Sequence, residues 1–304
     1  MPAERRLRML APSPQSRPWL WSILRIGLGP VLALAVSDSA LAQQPPAQIA
    51  VSPPRIELEL AGRPVREHFR LSNLGNEPVD VQVSVANWDL DEQNQVRLLP
   101  PTEQSLDQWM IMNPTRFTVM PGESQVVRIG IRPRVRPAPG EHRAMVYFTQ
   151  QPSGEHVDDR LHILFRFGAA VYAYVGNVTR RGTLLGVSQD SDDRSPRFLF
   201  DVESQGDAHV RLNGQYVVWP ESVYPGRPGT LILDGPGGTS TRLPPSAAAA
   251  GRLPTTPVLP GSRRNLPLAI APALPAGAYV LDVKGQLGEK DLARAVPFTV
   301  SAGH

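Results

Sequence analysis

The sequence predicts an all-β chain built as two tandem immunoglobulin-like β-sandwiches. Short segments recur in which apolar and polar residues alternate, the period of a half-buried strand. The 33 prolines and 25 glycines punctuate these segments at intervals suited to turns. Beyond residues 1–42 almost no stretch carries the apolar spacing of an amphipathic helix. The chain has 304 residues, 41% of them hydrophobic, which is enough for two packed cores.

Residues 1–42 have the form of a secretory signal peptide. Arg5, Arg6, Arg8, Arg17 and Arg25 make a basic start, Ile26–Val36 is a short apolar run, and Ala40-Leu41-Ala42 is a cleavage signal. As an uncleaved anchor the run is too short, and Gly27, Gly29 and Pro30 interrupt it. Cleavage before Gln43 is expected, with no membrane insertion afterwards. The leader sets five arginines against Glu4 and Asp38, so it accounts for the whole formal charge of +3 and the remainder is neutral. The isoelectric point of about 9.5 is therefore no nucleic-acid footprint. Cysteine is absent, which excludes disulfides, thiolate metal sites and cysteine nucleophiles.

The first strand is expected over Ile49–Leu60, where alternation continues on both sides of Pro53-Pro54. Two prolines remove two ladder donors, so this strand must lie at a sheet edge or switch sheets at the break. Arg55 stands beside it. Glu67–Ser72 and Val79–Trp88 flank a turn that begins at Asn73. Trp109–Met112 and Phe117–Val119 come next, then Gln125–Arg132 after Pro121-Gly122, and Arg143–Gln150 after Pro139-Gly140. Arg160–Val175 is the longest. Leu161, Ile163, Phe165, Phe167, Ala169, Val171, Ala173 and Val175 share one of its phases. These strands make one sandwich, over 43–176.

Alternation stops at Gly176–Arg181, where the boundary is expected, and a second domain over 177–304 follows. Its strands are Leu184–Ser188, Arg197–Ser204, His209–Trp219, Gly229–Leu233, Leu266–Ile270, Ala278–Gln286 and Ala293–Val300. The run from Phe198 through Gly206 to Trp219 weakly echoes the run from Phe69 through Gly75 to Trp88. Gly235–Gly261, rich in Pro, Gly, Ser, Thr and Ala, reads as a mobile loop.

Chemistry-bearing patterns are sparse. Asp89, Asp91 and Asn94 start like a calcium loop, but Asn94 stands where the glycine is needed and Pro100 where the final glutamate is needed. Asp190-Ser191-Asp192-Asp193 reads as a solvated turn. The six histidines show no metal-ligand spacing. No Gly-x-Ser-x-Gly elbow and no phosphate cradle occurs. Trp88, Trp109 and Trp219 read as core anchors. No cofactor and no metal is expected.

The leader, Ser52-Pro53-Pro54-Arg55, Leu71-Ser72-Asn73, the Pro121–Arg128 turn and strand, and Arg143…Tyr147-Phe148 together resemble the periplasmic chaperones of pilus and fimbria assembly, the PapD-like family. The resemblance covers nearly all of Gln48–Val175 and, more loosely, the rest. It implies a non-enzymatic periplasmic chaperone whose last strand of the first domain completes a pilin-like subunit by strand addition, for delivery to an outer-membrane usher. Ile163, Phe165 and Phe167 would then be the donated side chains; the alternative is that the same stretch is simply a core strand. Family members also clamp the subunit's C-terminal carboxylate with an arginine on the first strand and a lysine on the last strand of domain one. Arg55 matches the arginine, though its residue type alone equally fits a surface position. The lysine is missing: Lys284 and Lys290 are the only lysines. Arg166 is the nearest basic residue on that strand, and Arg180 and Arg181 lie in the linker. An extracytoplasmic structural or adhesive tandem module is the alternative, and a carbohydrate-active enzyme a third reading that needs paired carboxylates.

Overall fold

Pro53 and Pro54 have no N–H to give a ladder, so the first strand cannot run straight through them. In the computed structural model it divides into β1 (Ile49–Ser52) and β2 (Arg55–Glu59), which lie in different sheets. The structure describes residues 49–62, 65–152, 164–191, 195–229, 243 and 245–301. All belong to the unit Pro46–His304. The leader expected over 1–42 lies outside the described residues.

The chain continues through β3 (Val65–Asn73), β4 (Val79–Leu90), β5 (Val96–Leu99), β6 (Met110–Asn113), β7 (Arg116–Val119), β8 (Ser124–Ile131), β9 (Gly140–Gln150) and β10 (Arg166–Val175). One sheet has the order β1-β3-β8-β6, the other β2-β10-β9-β4-β5 with β7 also on β4. Phe69 and Leu71 of β3 and Val127, Ile129 and Ile131 of β8 point inward and are buried against Val146 and Phe148 of β9 and Val171 of β10. Each such side chain contributes about 1.5–3 kcal/mol. Asn73 closes the first turn from inside this core: its Nδ2 donates to the carbonyls of Val119 at 2.9 Å and Glu77 at 2.7 Å, and its Oδ1 accepts from Gly75 N–H at 3.0 Å.

A second pair of sheets follows: β11 (Gly182–Ser191), β12 (Arg197–Ser204), β13 (Leu212–Pro220), β14 (Ala249–Arg252), β15 (Arg263–Ala269), β16 (Gly277–Leu287) and β17 (Lys290–Val300). Their orders are β11-β12-β15 and β14-β13-β16-β17. Phe198, Phe200, Leu212, Leu266 and Leu281 fill the core between them. The class is thus all-β with two sandwiches. No helix among the described residues exceeds the four residues of Gly226–Gly229.

Several expectations need correction. The strand expected over Arg160–Val175 begins at Arg166; Leu164 and Phe165 precede it as irregular chain, and residues 160–163 lie outside the described residues. The strand expected over His209–Trp219 starts only at Leu212, because His209 is drawn into a contact with Glu141 of the first sandwich. Gly229–Leu233 falls outside the described residues apart from Gly229, which ends a helical turn. Within the stretch read as a loop, β14 pairs with β13, and Leu253, Val258 and Leu259 are buried. Few apolar anchors sit among its Pro, Ala and Gly, so composition hid them. By sequence no strand is expected at β5, which among the described residues pairs with β4 alone and leaves Val96 and Leu98 exposed.

Candidate functional site: an open strand edge beside a cation-lined cleft

The sheet switch at Pro53-Pro54 leaves β2 covering only part of β10. β2 runs parallel to it from Arg55 opposite Ala170 to Glu59 opposite Tyr174. β9 pairs along the whole of β10, from Arg166 to Val175. Arg166–Ala169 therefore has β9 on one side and no described strand on the other. An unpaired edge presents backbone N–H and C=O groups to a further strand. Gly168 lies in this stretch, closely packed on Met145 and Tyr147 of β9.

Side chains along the open stretch take two directions. Phe167 is half-buried against the first core, in phase with Ala169 and Val171. Phe165 stacks on it with ring centroids 6.0 Å apart. Leu164, of the opposite phase, is 48% exposed. Arg166 turns to the other face, its guanidinium 3.8 Å from the centre of the Tyr147 ring. Ile163 lies outside the described residues. Arg166 and Arg55 do not meet: four positions of β10 separate Arg166 from Ala170, the partner of Arg55, or about 13 Å of strand.

Arg55 instead lines a cleft of ≈ 270 Å³ between the sandwiches, with Glu57, Arg180, His209, Arg211 and Thr255 among its other walls. Arg55 Nε donates to Glu57 Oε1 at 2.8 Å, and Tyr174 Oη donates to Glu57 Oε2 at 2.8 Å. Burial pushes the Glu57 carboxyl up, but the Tyr174 hydroxyl, His209 and Arg55 together hold it below the usual carboxylate range. Burial pushes the Tyr174 phenol above its ordinary range, helped by Glu57, while the guanidinium of Arg180 lies 4.4 Å over its ring. Arg211 is fully engaged: Nη1 reaches the carbonyl of Thr255 at 2.5 Å, Nη2 the Tyr172 hydroxyl at 3.1 Å, and Nε the His209 Nε2 at 3.1 Å. Burial pushes the Tyr172 phenol up to about 12, so it stays a neutral partner.

Three arginines and a single carboxylate, Glu57, thus line the cleft. Such a surplus of positive charge in a part-buried recess attracts an anion, and guanidinium groups present paired donors that match a carboxylate. The residues that complete it, Arg211, His209, Tyr172 and Tyr174, carry no motif. By sequence Arg180 reads only as a linker residue. Its place beside Arg55 results from the second sandwich docking on the outer face of the larger sheet, where Trp88, Met145, Tyr172 and Tyr174 meet Ala208 and Leu259. No group of three or more metal-ligating side chains occurs among the described residues.

No family model and no curated protein matches the sequence. Similar solved structures are fimbrial chaperones for the most part. The chaperone–tip adhesion subunit complex of the archaic Csu pili of Acinetobacter baumannii is 14% identical, with a TM-score of 0.43 over 82% of this chain and 98% of that one. The Pseudomonas aeruginosa CupB2 chaperone is 15% identical, with a TM-score of 0.38 over 82% and 98%. The chaperone–tip adhesin complex of CFA/I fimbriae is 9% identical, with a TM-score of 0.42 over 84% and 100%.

Proposed function

We propose that this chain is a divergent periplasmic chaperone that holds pilus- or fimbria-type subunits and hands them to an outer-membrane usher. The observation that carries the reading is the open Arg166–Ala169 edge of β10 lying alongside the start of β2, which places Arg55 in the cleft. A client lacking a strand pairs its backbone along this edge, and Ile163 and Phe165 enter its groove, while Phe167, expected with them, keeps its place against the first core. Its C-terminal carboxylate is held in the cleft by Arg55, with Arg180 in place of the absent lysine. Arg166, stacked on Tyr147, supports the edge rather than the clamp. The leader over 1–42 supports export, and the domains divide near Gly176–Arg181. Capture and release need no reaction at the protein, so the role is non-enzymatic.

The test is co-purification of the exported chain with a subunit, followed by Arg55→Ala and Arg180→Ala. Each substitution is expected to weaken the complex by about 1.5–3 kcal/mol, the range for hydrogen bonds to charged groups. Client retention equal to wild type in both variants would remove the clamp from the reading. One observation favours the alternative, a structural or adhesive tandem module: in the free chain Arg55 is already satisfied by Glu57. On that reading no client co-purifies and the Arg166–Ala169 edge stays open to solvent.

A further inference from the structure

The outer face of the β1-β3-β8-β6 sheet is positively charged and faces away from the first core. Between the buried alternates of β3 and β8, the outward positions hold Arg66, His68, Arg70 and Arg128. No Asp or Glu occupies an outward position on the four described strands of this sheet; Glu67, on the inward phase and half-buried, is the one acidic residue among those that line the hollow on this face. None of the three arginines has an ion pair among the described residues, whereas Arg97, Arg143, Arg197 and Arg263 each meet a carboxylate. Because the chain after the leader is neutral, this is a segregation of charge and not an overall excess.

The arrangement costs the free protein something. Arg128 lies across the ladder from His68 and diagonally from both Arg66 and Arg70. Like charges held close on one sheet face are destabilising. The shape of the face is also specific. A depression of ≈ 600 Å³ lies between Arg66, His68, Arg128, Ile111 and Gly130. A Cβ at Gly130 would meet nothing within 4 Å, so the glycine keeps the floor low. Ile111 is 63% exposed at its side, on β6, which ends the sheet with no described strand beyond it.

We propose that this face docks an extended acidic segment of a partner protein, separate from the client in the cleft and independent of that reading. The segment lies across the face, its carboxylates neutralise Arg66, Arg70 and Arg128, and an apolar side chain rests on Ile111. Guanidinium groups fit carboxylates in pairs. A membrane surface fits less well, because the apolar side chain here flanks a hollow and does not crown a protruding face.

The probe is a peptide of alternating Glu and Val, capped at both ends, titrated into the exported chain and into the variant Arg66→Gln/Arg70→Gln/Arg128→Gln. Binding is expected to wild type, at least tenfold weaker to the variant, unchanged by Arg55→Ala, and weakened by raising salt from about 0.05 to 0.5 M as exposed charges are screened. The variant's own thermal midpoint should hold or rise, since repulsion is relieved. Absence of peptide binding, or equal binding by the variant, overturns the proposal. So does arginine-dependent binding to anionic phospholipid vesicles without peptide binding, which would assign the face to a membrane. A lower midpoint in the variant would make the arginines structural and equally overturn it.

Discussion

His209 of the second sandwich meets Glu141 of the first through two donors on one oxygen: its backbone N–H and its Nδ1 both reach Glu141 Oε2, at 2.8 and 2.6 Å. Both side chains are buried, at 3% and 0% exposure. Arg211 Nε reaches the other ring nitrogen, Nε2, at 3.1 Å. The tie also sets one wall of the cleft, because it holds His209 and Arg211 against Tyr172, whose ring centre lies 4.2 Å from that of His209. His209→Ala leaves Glu141 short of a donor in a dry place. It is expected to lower stability by about 1–3 kcal/mol, measured by denaturant unfolding. An unchanged midpoint would mean that Glu141 is reached by water once the ring is gone.

Acid should loosen the same region. Asp207 accepts from Thr179 N–H at 2.6 Å and from the Thr179 hydroxyl at 3.1 Å, and these bonds hold its carboxyl below the ordinary range despite some burial. Glu57 is lowered by its own partners, and Asp201 by Arg263. A carboxylate with a lowered folded-state value stabilises fully above its unfolded value, about 3.9–4.3, and loses that contribution as pH falls through the lowered value. Thermal midpoints from pH 6 down to about pH 2 should therefore fall, and less steeply in Asp207→Asn. Parallel curves for the two proteins would show that Asp207 adds nothing.

Gly206 admits no side chain. A Cβ there would stand 2.0 Å from the Thr179 carbonyl oxygen and 2.9 Å from Arg181 N, both backbone atoms of the linker. Gly206→Ala should cost about 1–3 kcal/mol, as overpacking does. It should also displace Arg180, so client retention falls with stability. Full retention at reduced stability would place the linker's adjustment elsewhere.

The two phenylalanines of the open edge should separate in their effects. Phe167 leans on the first core, so Phe167→Asp buries a charge and should lower the thermal midpoint of the free chain. Phe165 lies before the strand begins, so Phe165→Asp should leave the free chain folded and abolish client capture. Equal destabilisation by both would assign Phe165 to the chaperone's own core.

The latch between the β4–β5 hairpin and β15 gives a test of domain rigidity. Arg264 donates to the carbonyls of Leu90 and Asp91, and Asn94 Nδ2 donates to the carbonyl of Asn265 at 2.9 Å. Arg264→Ala removes two of these bonds, about 0.5–1.5 kcal/mol each. Small-angle scattering of that variant should broaden relative to wild type while each sandwich stays folded. Identical scattering would show that the buried cluster around Trp88 and Leu259, with the His209–Glu141 tie, holds the angle without the latch.

Local chemistry made the strands legible. Alternation at Phe69–Leu71, Val127–Ile131 and Ala169–Ala173 follows from a backbone whose side chains point to opposite faces, and Pro53-Pro54 must break any ladder that reaches it. The sheet switch and the position of Arg55 beside it follow from those rules. The short strands β5 and β14 do not, because Val96–Leu99 and Ala249–Arg252 have little pattern of their own and are held by the neighbours they pair with. The cleft was still less accessible. Arg55, Arg180 and Arg211 stand far apart in the chain, and nothing in their local sequence distinguishes them from other surface arginines. Their convergence depends on the packing of Trp88 and Tyr172 against Ala208 and Leu259, which only a folded chain can bring together.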